Sequence, residues 1–357
     1  MSQDKNQLIL DVKNLVVRYE TEDGVVHALN GIDLQLGYRQ TIGLVGETGA
    51  GKTTAALAIL RLVPNPPGVV ECDRLMIEGR DILNLPAAKM DEVRGKDVSM
   101  IFQDPMTALN PVFTVGEQIA ESLQLHEALD KNAAMERAKQ MLELVGIPGE
   151  RANEYPHQFS GGMKQRVVIA IALACNPKLL IADEPTTALD VTIQAQILEL
   201  MKDLQKKTHM GIIFITHNLG VVAEICDKVS VMYAGKIVEQ GPVNDIFYRP
   251  SHPYTVGLLR SMPRVDAESY ERLIPIEGTP VDMLNPPEGC PFAPRCEHCM
   301  KICLKQMPPY VEIGEDHRSA CWLRVQERKK GEKLGAEGGA LDKTAPDTKA
   351  EEGTDHE

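Results

Sequence analysis

A glycine-rich octapeptide constrains this chain more than any other feature: residues 46–53 read Gly-Glu-Thr-Gly-Ala-Gly-Lys-Thr and fit the pattern GxxxxGK[ST]. A short apolar run, 41–45, precedes the loop, and a helix-forming run, 53–62, follows it. In such a loop the backbone N–H groups surround phosphate oxygens, and the helix directs its positive end at them. We expect Lys52 to reach the β- and γ-phosphates of a nucleotide and Thr53 to ligate Mg²⁺. The loop therefore predicts an α/β nucleotide-binding domain.

A second pattern contributes two carboxylates. The apolar run 179–182 is followed directly by Asp183 and Glu184. At the carboxyl end of a buried strand, Asp183 is expected to face the Mg²⁺ that Thr53 would ligate. Glu184 is then suited to orient or deprotonate a water molecule that attacks a phosphate. The two patterns together predict a site that hydrolyses a nucleotide.

Strand and helix patterns alternate along the first 250 residues, with a mostly helical stretch from about 90 to 160. Closely spaced prolines from residue 250 onwards mark a boundary, and a short cysteine-rich segment follows to about residue 325. Residues 326–357 have almost no apolar side chains, so burial cannot offset their chain entropy and we expect disorder there. The predicted units are 1–250 (helical subdomain about 90–160), 251–325 and 326–357.

Charge and composition exclude several classes of protein. The net charge of −13 and the aromatic content of 4% argue against a nucleic-acid partner, which needs clustered cations and stacking platforms. The polar N-terminus predicts no signal peptide. The longest wholly apolar run, 167–175, is far shorter than the ~20 residues that span a bilayer. We expect a cytosolic chain whose only membrane contact is through a partner.

The cysteines are concentrated in one segment. Five of the eight, Cys290, Cys296, Cys299, Cys303 and Cys321, lie within 32 residues. A disulfide framework is not expected in the cytosol, so a metal is the better explanation. Four thiolates suit either a tetrahedral zinc ion or an iron–sulfur cluster, and the absence of paired Cys-x2-Cys knuckles favours the cluster. Reduced thiols without any metal are the remaining alternative.

About 110 residues after the loop, the chain continues Phe-Ser-Gly-Gly-Met-Lys-Gln-Arg over 159–166. With this segment and the two patterns above in their order, residues 8 to about 260 resemble the ATP-binding subunits of ATP-binding cassette (ABC) transporters. The resemblance implies an α/β ABC-type P-loop ATPase with a RecA-like core, an antiparallel β subdomain and a helical subdomain. The short cysteine-rich extension would follow this domain.

The resemblance also implies roles for individual residues. The segment 159–166 resembles the family signature, which contacts the γ-phosphate bound by the opposite subunit. The residues implied in this role are Ser160, Gly161, Gly162 and Gln165. Gln103 matches the residue that touches Mg²⁺ and the attacking water, and His217 matches the histidine that contacts the γ-phosphate. Together with Glu184 these two form the implied catalytic set. Asp190 matches a loop at the dimer interface.

The implied ATP contacts comprise one aromatic residue, the glycine-rich loop with the threonine that follows it, and two magnesium-side residues. They are Tyr19, Gly46, Glu47, Thr48, Gly49, Ala50, Gly51, Lys52, Thr53, Thr54, Gln103 and Asp183. Thr53, Gln103 and Asp183 are the implied Mg²⁺ ligands. Tyr19 would stack on adenine, a contact that needs no base-specific hydrogen bonds. A strand-end aromatic buried in the core is the alternative for this residue.

Three further segments, 104–111, 186–192 and 250–255, resemble the oligopeptide/dipeptide importer ATPases within the family. So does the spacing Cys-x5-Cys-x6-Cys-x17-Cys over Cys290, Cys296, Cys303 and Cys321. In some members of this branch the four cysteines hold a [4Fe-4S] cluster. Cys299 offers a different ligand set, and His298 and His317 could serve zinc.

The implied function is ATP hydrolysis that powers peptide import at the cytoplasmic face of a bacterial or archaeal membrane. The implied partners are a paralogous ATPase subunit in a heterodimer, two membrane permeases and an extracellular peptide-binding protein. Nickel or antimicrobial-peptide uptake is an alternative for the cargo. A soluble cassette ATPase of DNA repair or translation is a more distant alternative, disfavoured by the single loop and signature.

Overall fold

The computed structural model describes residues 8–186, 191–262 and 274–329. Thirteen strands occur in these ranges: β1 Leu8–Thr21, β2 Gly24–Gly37, β3 Thr41–Val45, β4 Gly68–Glu71, β5 Arg74–Ile77, β6 Arg80–Asp81, β7 Val98–Ile101, β8 Leu179–Asp183, β9 Gly211–Ile215, β10 Lys228–Tyr233, β11 Lys236–Pro242, β12 Val311–Gly314 and β13 His317–Ser319. Eleven α-helices accompany them: α1 Lys52–Ile59, α2 Ala87–Val93, α3 Pro105–Ala108, α4 Val115–Glu127, α5 Lys131–Leu144, α6 Gly161–Leu173, α7 Val191–Thr208, α8 Leu219–Ile225, α9 Val243–Tyr248, α10 Pro253–Arg260 and α11 Trp322–Lys329.

The larger sheet has eight strands in the order β12-β13-β11-β10-β3-β9-β8-β7. Its five strands from β10 to β7 are parallel to one another, whereas β10 pairs with β11 in the antiparallel sense. Every residue of β3, β8 and β9 is buried, as expected for parallel strands that are covered on both faces. Because parallel strands end at one edge, the segments after β3, β9, β8 and β7 lie next to one another there.

The smaller sheet is antiparallel and contains β1, β2, β4, β5 and β6; the long strand β1 is at its centre and pairs with β2, β4 and β5. Residues of β1 and β2 share one hydrophobic cluster with the glycine-rich loop and α1, through Ala50, Ala55 and Ala56. This antiparallel sheet therefore packs against the phosphate-binding element, and the predicted β subdomain is confirmed.

Helices α4, α5 and α6 form the helical part of the chain. Thr114 begins α4 with a reciprocal capping box to Glu117, and Asp130 caps α5 by accepting from two backbone N–H groups. The stretch predicted as mostly helical from residue 90 also contains β7, an edge strand of the larger sheet. Its four residues are too few for a period of two to be distinguished from a helical pattern.

The cysteine-rich extension continues the main core instead of forming a separate unit. Strand β13 pairs with β11 and adds β12 and β13 to the edge of the larger sheet. Cys290, Phe292 and Cys303 belong to the same hydrophobic cluster as the strands of that sheet. Helix α11 crosses residue 326, where a tail was predicted to begin, while residues 330–357 lie outside the described part of the chain.

Candidate functional site

The glycine-rich loop joins β3 to α1 in a conformation that only glycine fits at two positions. Gly46 has a φ of +152°, and a Cβ there would lie 2.2 Å from the carbonyl oxygen of Met232. Gly51 has a φ of +97°, and its Cβ would lie 2.6 Å from the carbonyl oxygen of Ala28. Gly51 is also the N-cap of α1 and offers no side-chain cap, so the first N–H groups of the helix remain available to an anion.

Lys52 folds back over this loop. Its Nζ donates to the carbonyl oxygens of Gly46 at 2.8 Å and Glu47 at 3.0 Å, and the residue is 8% exposed. Burial lowers the pKa of Lys52, while the nearby carboxylates of Glu184, Asp183 and Glu47 oppose that shift. These two hydrogen bonds hold the ammonium group inside the loop.

The predicted magnesium pair is in contact. Asp183, the last residue of β8, is 2% exposed, and burial raises its pKa. The Thr53 hydroxyl, at the start of α1, donates a hydrogen bond to the Asp183 carboxylate and opposes that rise, as does the charge of Lys52. Two oxygen-bearing side chains from adjacent elements therefore meet beside the loop, and oxygen is the ligand atom that Mg²⁺ prefers.

Two side chains from two strand ends contact a carboxylate at a third strand end. Glu184, directly after β8, accepts a hydrogen bond from Gln103 Nε2 at 3.1 Å and lies 3.0 Å from His217 Nδ1. Gln103 follows β7, and His217 follows β9. Glu184 has a φ of +47°, a strained value for a residue with a side chain, and its N–H donates to the Ile215 carbonyl at 2.9 Å. Strain of this kind clusters at functional sites.

Tyr19 lies near the end of β1, opposite Gly68 of β4. It is half-buried and packs against the hydrophobic cluster that contains Ala50 of the loop. An aromatic face on this cluster is compatible with both interpretations given above, adenine stacking and core packing.

The signature residues occupy the start of α6. Ser160 is the N-cap, and its Oγ accepts from the Met163 N–H at 3.4 Å. Ser160 and Gly161 are exposed, and Gly162 is half-buried. Gln165 differs from the expectation, because it is 1% exposed and directed into the fold. It shares the inward face of α6 with Val168, Ile169 and Ala172, at the helical spacing i, i+3, i+4 and i+7. Asp190 lies outside the described residues.

The structure brings the four predicted cysteines to one narrow cleft. Cys290, Cys296, Cys303 and Cys321 line it, and we call them the cysteine quartet. Burial raises the pKa of Cys290 to about 12 and that of Cys321 to about 11. Cys299 is exposed and contacts Cys303 from outside the cleft. Within the described ranges, no three His, Cys, Asp or Glu side chains stand in an arrangement that would hold a metal ion.

The two histidines considered as zinc ligands differ in their positions. His298 lines the cleft. His317 does not line it: this residue is 4% exposed, and its Nε2 lies 2.8 Å from the carboxylate of the fully buried Glu239. Glu239 also accepts from the backbone N–H groups of Ser251 and His252. His317 therefore belongs to a buried polar network of the fold, and the expectation that it could ligate zinc is wrong.

Sequence reasoning did not identify two residues that contact the loop. The Arg295 guanidinium, from the segment between two quartet cysteines, forms a bidentate ion pair with Glu47. The Tyr254 hydroxyl, on α10, accepts from the Glu47 backbone N–H at 2.9 Å. Both residues lie in segments from which the sequence indicated only the branch of the family and, for Arg295, a nearby metal site.

Comparison with known proteins is consistent with this geometry. The ABC transporter family matches residues 29–187, and the family "Oligopeptide/dipeptide transporter, C-terminal region" matches residues 238–303. The chain is 55% identical over 317 residues to the Bacillus subtilis oligopeptide transport ATP-binding protein OppD, covering 88% of both chains. It is 52% identical to the dipeptide transport ATP-binding protein DppD of the same organism, covering 89% of this chain and 95% of the relative.

Solved structures give the same fold. A dimeric ATP-binding cassette, MJ0796, in a post-hydrolysis state with ADP and Pi, matches 66% of this chain and 98% of its own length with a TM-score of 0.59 and 25% identity. CbiO1 from Clostridium perfringens, part of the ABC transporter complex CbiONQ, matches 68% of this chain with a TM-score of 0.58 and 28% identity. None of the described helices is long and apolar enough to cross a membrane. This chain therefore belongs to the ATP-binding subunits of ABC transporters, in the oligopeptide/dipeptide branch.

Proposed function

We propose that this chain hydrolyses ATP to power the import of dipeptides or oligopeptides through partner membrane permeases. The observation that supports it most is the carboxylate of Glu184, held between Gln103 and His217 next to the Thr53–Asp183 pair. Such a group at the edge of a phosphate-binding loop is suited to a hydrolytic reaction. The peptide cargo is inferred from the match over residues 238–303 and from the relatives named for peptide transport.

The residues divide the hydrolytic work. The loop N–H groups and Lys52 bind the triphosphate of ATP, in place of the carbonyl oxygens that Lys52 now contacts. Thr53, Asp183 and Gln103 would hold Mg²⁺, which neutralises phosphate charge when it is bound. Glu184 accepts a proton from water while the water oxygen bonds to the γ-phosphorus. The bond from that phosphorus to the bridging oxygen breaks, and ADP and phosphate are released.

The same chain contributes to a second ATP site on its partner. The exposed N-terminus of α6, with Ser160 and Gly161, presents free backbone N–H groups to the surroundings of the molecule. We assign it to the γ-phosphate that a partner cassette binds, and Asp190 to the interface between the two cassettes. The partner is proposed to be a paralogous subunit, so the working unit is a heterodimer.

The membrane partners are two permeases, served by an extracellular peptide-binding protein. Exposed apolar side chains support a docking surface that includes Phe102, the residue before Gln103: Phe102 is 46%, Phe113 50% and Val112 71% exposed. Contact there would connect the permeases to the glutamine that touches Glu184. The chain would act at the cytoplasmic face of the cell membrane and remain peripheral to it.

The cargo can be tested with the complete complex in proteoliposomes that contain ATP. We expect labelled dipeptide or oligopeptide to accumulate when the extracellular binding protein is added, because hydrolysis drives the transport cycle. A non-hydrolysable ATP analogue is the control and should leave the vesicles empty. Accumulation of nickel without any peptide would contradict the proposed cargo.

We further propose that the cysteine quartet holds a [4Fe-4S] cluster. Four thiols on one enclosed cleft are the donor set of such a cluster, and a bound metal would stabilise their deprotonated form against the effect of burial. Loading would draw the thiols closer together than they now stand. Zinc, held by the four thiolates or by three of them and His298, is the competing occupant.

Metal analysis of anaerobically purified protein distinguishes these occupants. We expect about four iron atoms per chain and a brown sample that absorbs visible light. Cys290→Ser should lower the iron content, whereas Cys72→Ser, a change outside the extension, should leave it unchanged. A colourless sample that contains zinc would refute the cluster.

A further inference from the structure

The Glu47 side chain leaves the phosphate-binding loop and contacts the cysteine-rich extension. Its two carboxylate oxygens accept from Arg295 Nη1 at 2.7 Å and Nη2 at 3.1 Å. The Arg295 side chain is 5% exposed and that of Glu47 26% exposed, so solvent screens this pair weakly. Bidentate pairs of this kind are among the strong hydrogen bonds in proteins. A residue of the loop is thus held by a residue 248 positions away in sequence.

Arg295 is itself fixed on every donor. Its Nε donates to the Glu277 carbonyl at 3.0 Å, Nη2 to the Ile276 carbonyl at 3.2 Å, and Nη1 to the Tyr233 hydroxyl at 3.3 Å. With the two bonds to Glu47, these contacts use all five N–H groups of the guanidinium. Arg295 is therefore held in one position, from which it supports the loop, and is not a mobile surface cation.

The backbone of the same loop residue is held from the same side. The Glu47 N–H donates to the hydroxyl of Tyr254, which is fully buried. Tyr254 packs on Tyr233 and Phe292 with ring centroids 4.6 and 5.3 Å apart. Phe292 belongs to the segment between Cys290 and Cys296, so one aromatic cluster joins the extension to the loop.

The charge of Glu47 explains why its contacts with Arg295 and Tyr254 would matter for nucleotide binding. The Glu47 carboxylate lies close enough to Lys52 to oppose the lowering of its pKa by burial, and it would repel the phosphates of ATP. Pairing with Arg295 neutralises the charge of that carboxylate and holds it against the extension. We propose that Arg295 and Tyr254 are positioning residues of the ATP site, through which the cysteine-rich extension sets the affinity of the loop for ATP.

The proposal rests on ATP as the ligand of the loop, and the test measures ATP binding to the full-length chain with a fluorescent ATP analogue. Arg295→Gln should weaken binding about tenfold, because it leaves the Glu47 carboxylate unpaired beside the phosphates. Turnover at saturating ATP should change much less, since no reacting group is altered. Arg295→Lys retains the charge, so its affinity should fall between those of the wild type and Arg295→Gln.

The decisive variant is the double change Arg295→Gln with Glu47→Gln. Removing the second charge should restore affinity to near the wild-type value, a rescue that a purely structural role would not give. Arg318→Gln is the matched control, because Arg318 is a half-buried arginine of the extension that bonds Gln240 and stacks on Tyr310.

Two results separate the possible failures. A double variant that binds ATP as weakly as Arg295→Gln, or an Arg295→Gln chain with wild-type affinity, would overturn the positioning role. Wild-type protein that binds no ATP would instead refute the proposed function. Thermal unfolding of each variant identifies any that fail to fold. In that case the single variants Arg295→Lys and Glu47→Gln, each compared with the control Arg318→Gln, decide whether Arg295 positions the loop.

Discussion

Glu184→Gln is expected to reduce ATP turnover by at least about a hundredfold while ATP binding is retained, because an amide cannot accept the proton of the attacking water. Glutamine has nearly the same shape, so the contacts with Gln103 and His217 can be replaced by similar ones. Loss of a negative charge near Lys52 also removes repulsion toward the triphosphate. The variant should therefore bind ATP at least as tightly as the wild type.

Phosphate release and the amount of retained nucleotide measure this prediction on the same sample. We expect Glu184→Gln to retain intact ATP in a closed pair of cassettes after the free nucleotide is removed. Glu199→Gln, the same change at an exposed position on α7, is the control and should hydrolyse ATP normally. Wild-type turnover in Glu184→Gln would refute the assigned role of this carboxylate.

The sequence predicted the hydrolytic residues because they follow local patterns. A glycine-rich loop between strand and helix needs particular residue types at fixed spacing, and Asp183 and Glu184 directly follow an apolar run. Gln103 and His217 also follow strands, and their meeting at Glu184 results from the adjacency of β7, β8 and β9 in the sheet. The resemblance to the family implied that these strands are adjacent, whereas the spacing of the residues in the sequence did not.

Long-range contacts could not be predicted from the sequence. The Arg295–Glu47 pair joins residues far apart in the chain, and neither residue type nor local pattern indicates which partner each one has. His317 had appeared available to a metal, yet the buried Glu239 bonds to it across the pairing of β11 and β13. Burial of Gln165, in contrast, was predictable, because it repeats the helical spacing of the apolar face of α6.

Ser160→Arg tests whether this chain contributes to the ATP site of a partner cassette. The exposed hydroxyl at the start of α6 would be replaced by a long cation in the position assigned to the partner's γ-phosphate. We expect turnover of the complex to fall at least about tenfold, whereas ATP binding to this chain's own loop stays unchanged, because hydrolysis needs both cassettes to close. Loss of the cap alone costs about 1 kcal/mol of helix stability.

Two variants separate closure from the loss of a helix cap. Ser160→Thr retains a hydroxyl that can cap α6 and should keep most of the turnover. Asp130→Arg removes the cap of α5, a helix that begins elsewhere in the helical part, and should also leave turnover largely intact. Equal activity of Ser160→Arg and wild type would show that α6 does not complete an ATP site.

We expect this chain to hold halves of two different ATP sites and to hydrolyse ATP only when it is paired with a second cassette. The most direct measurement is the turnover rate per chain of wild type and Ser160→Arg, titrated with the purified partner cassette. Wild-type turnover should be negligible without the partner and should rise to a plateau at one partner per chain, and Ser160→Arg should stay low throughout. A turnover rate that is high in the isolated chain and independent of the concentrations of both chain and partner would contradict the claim.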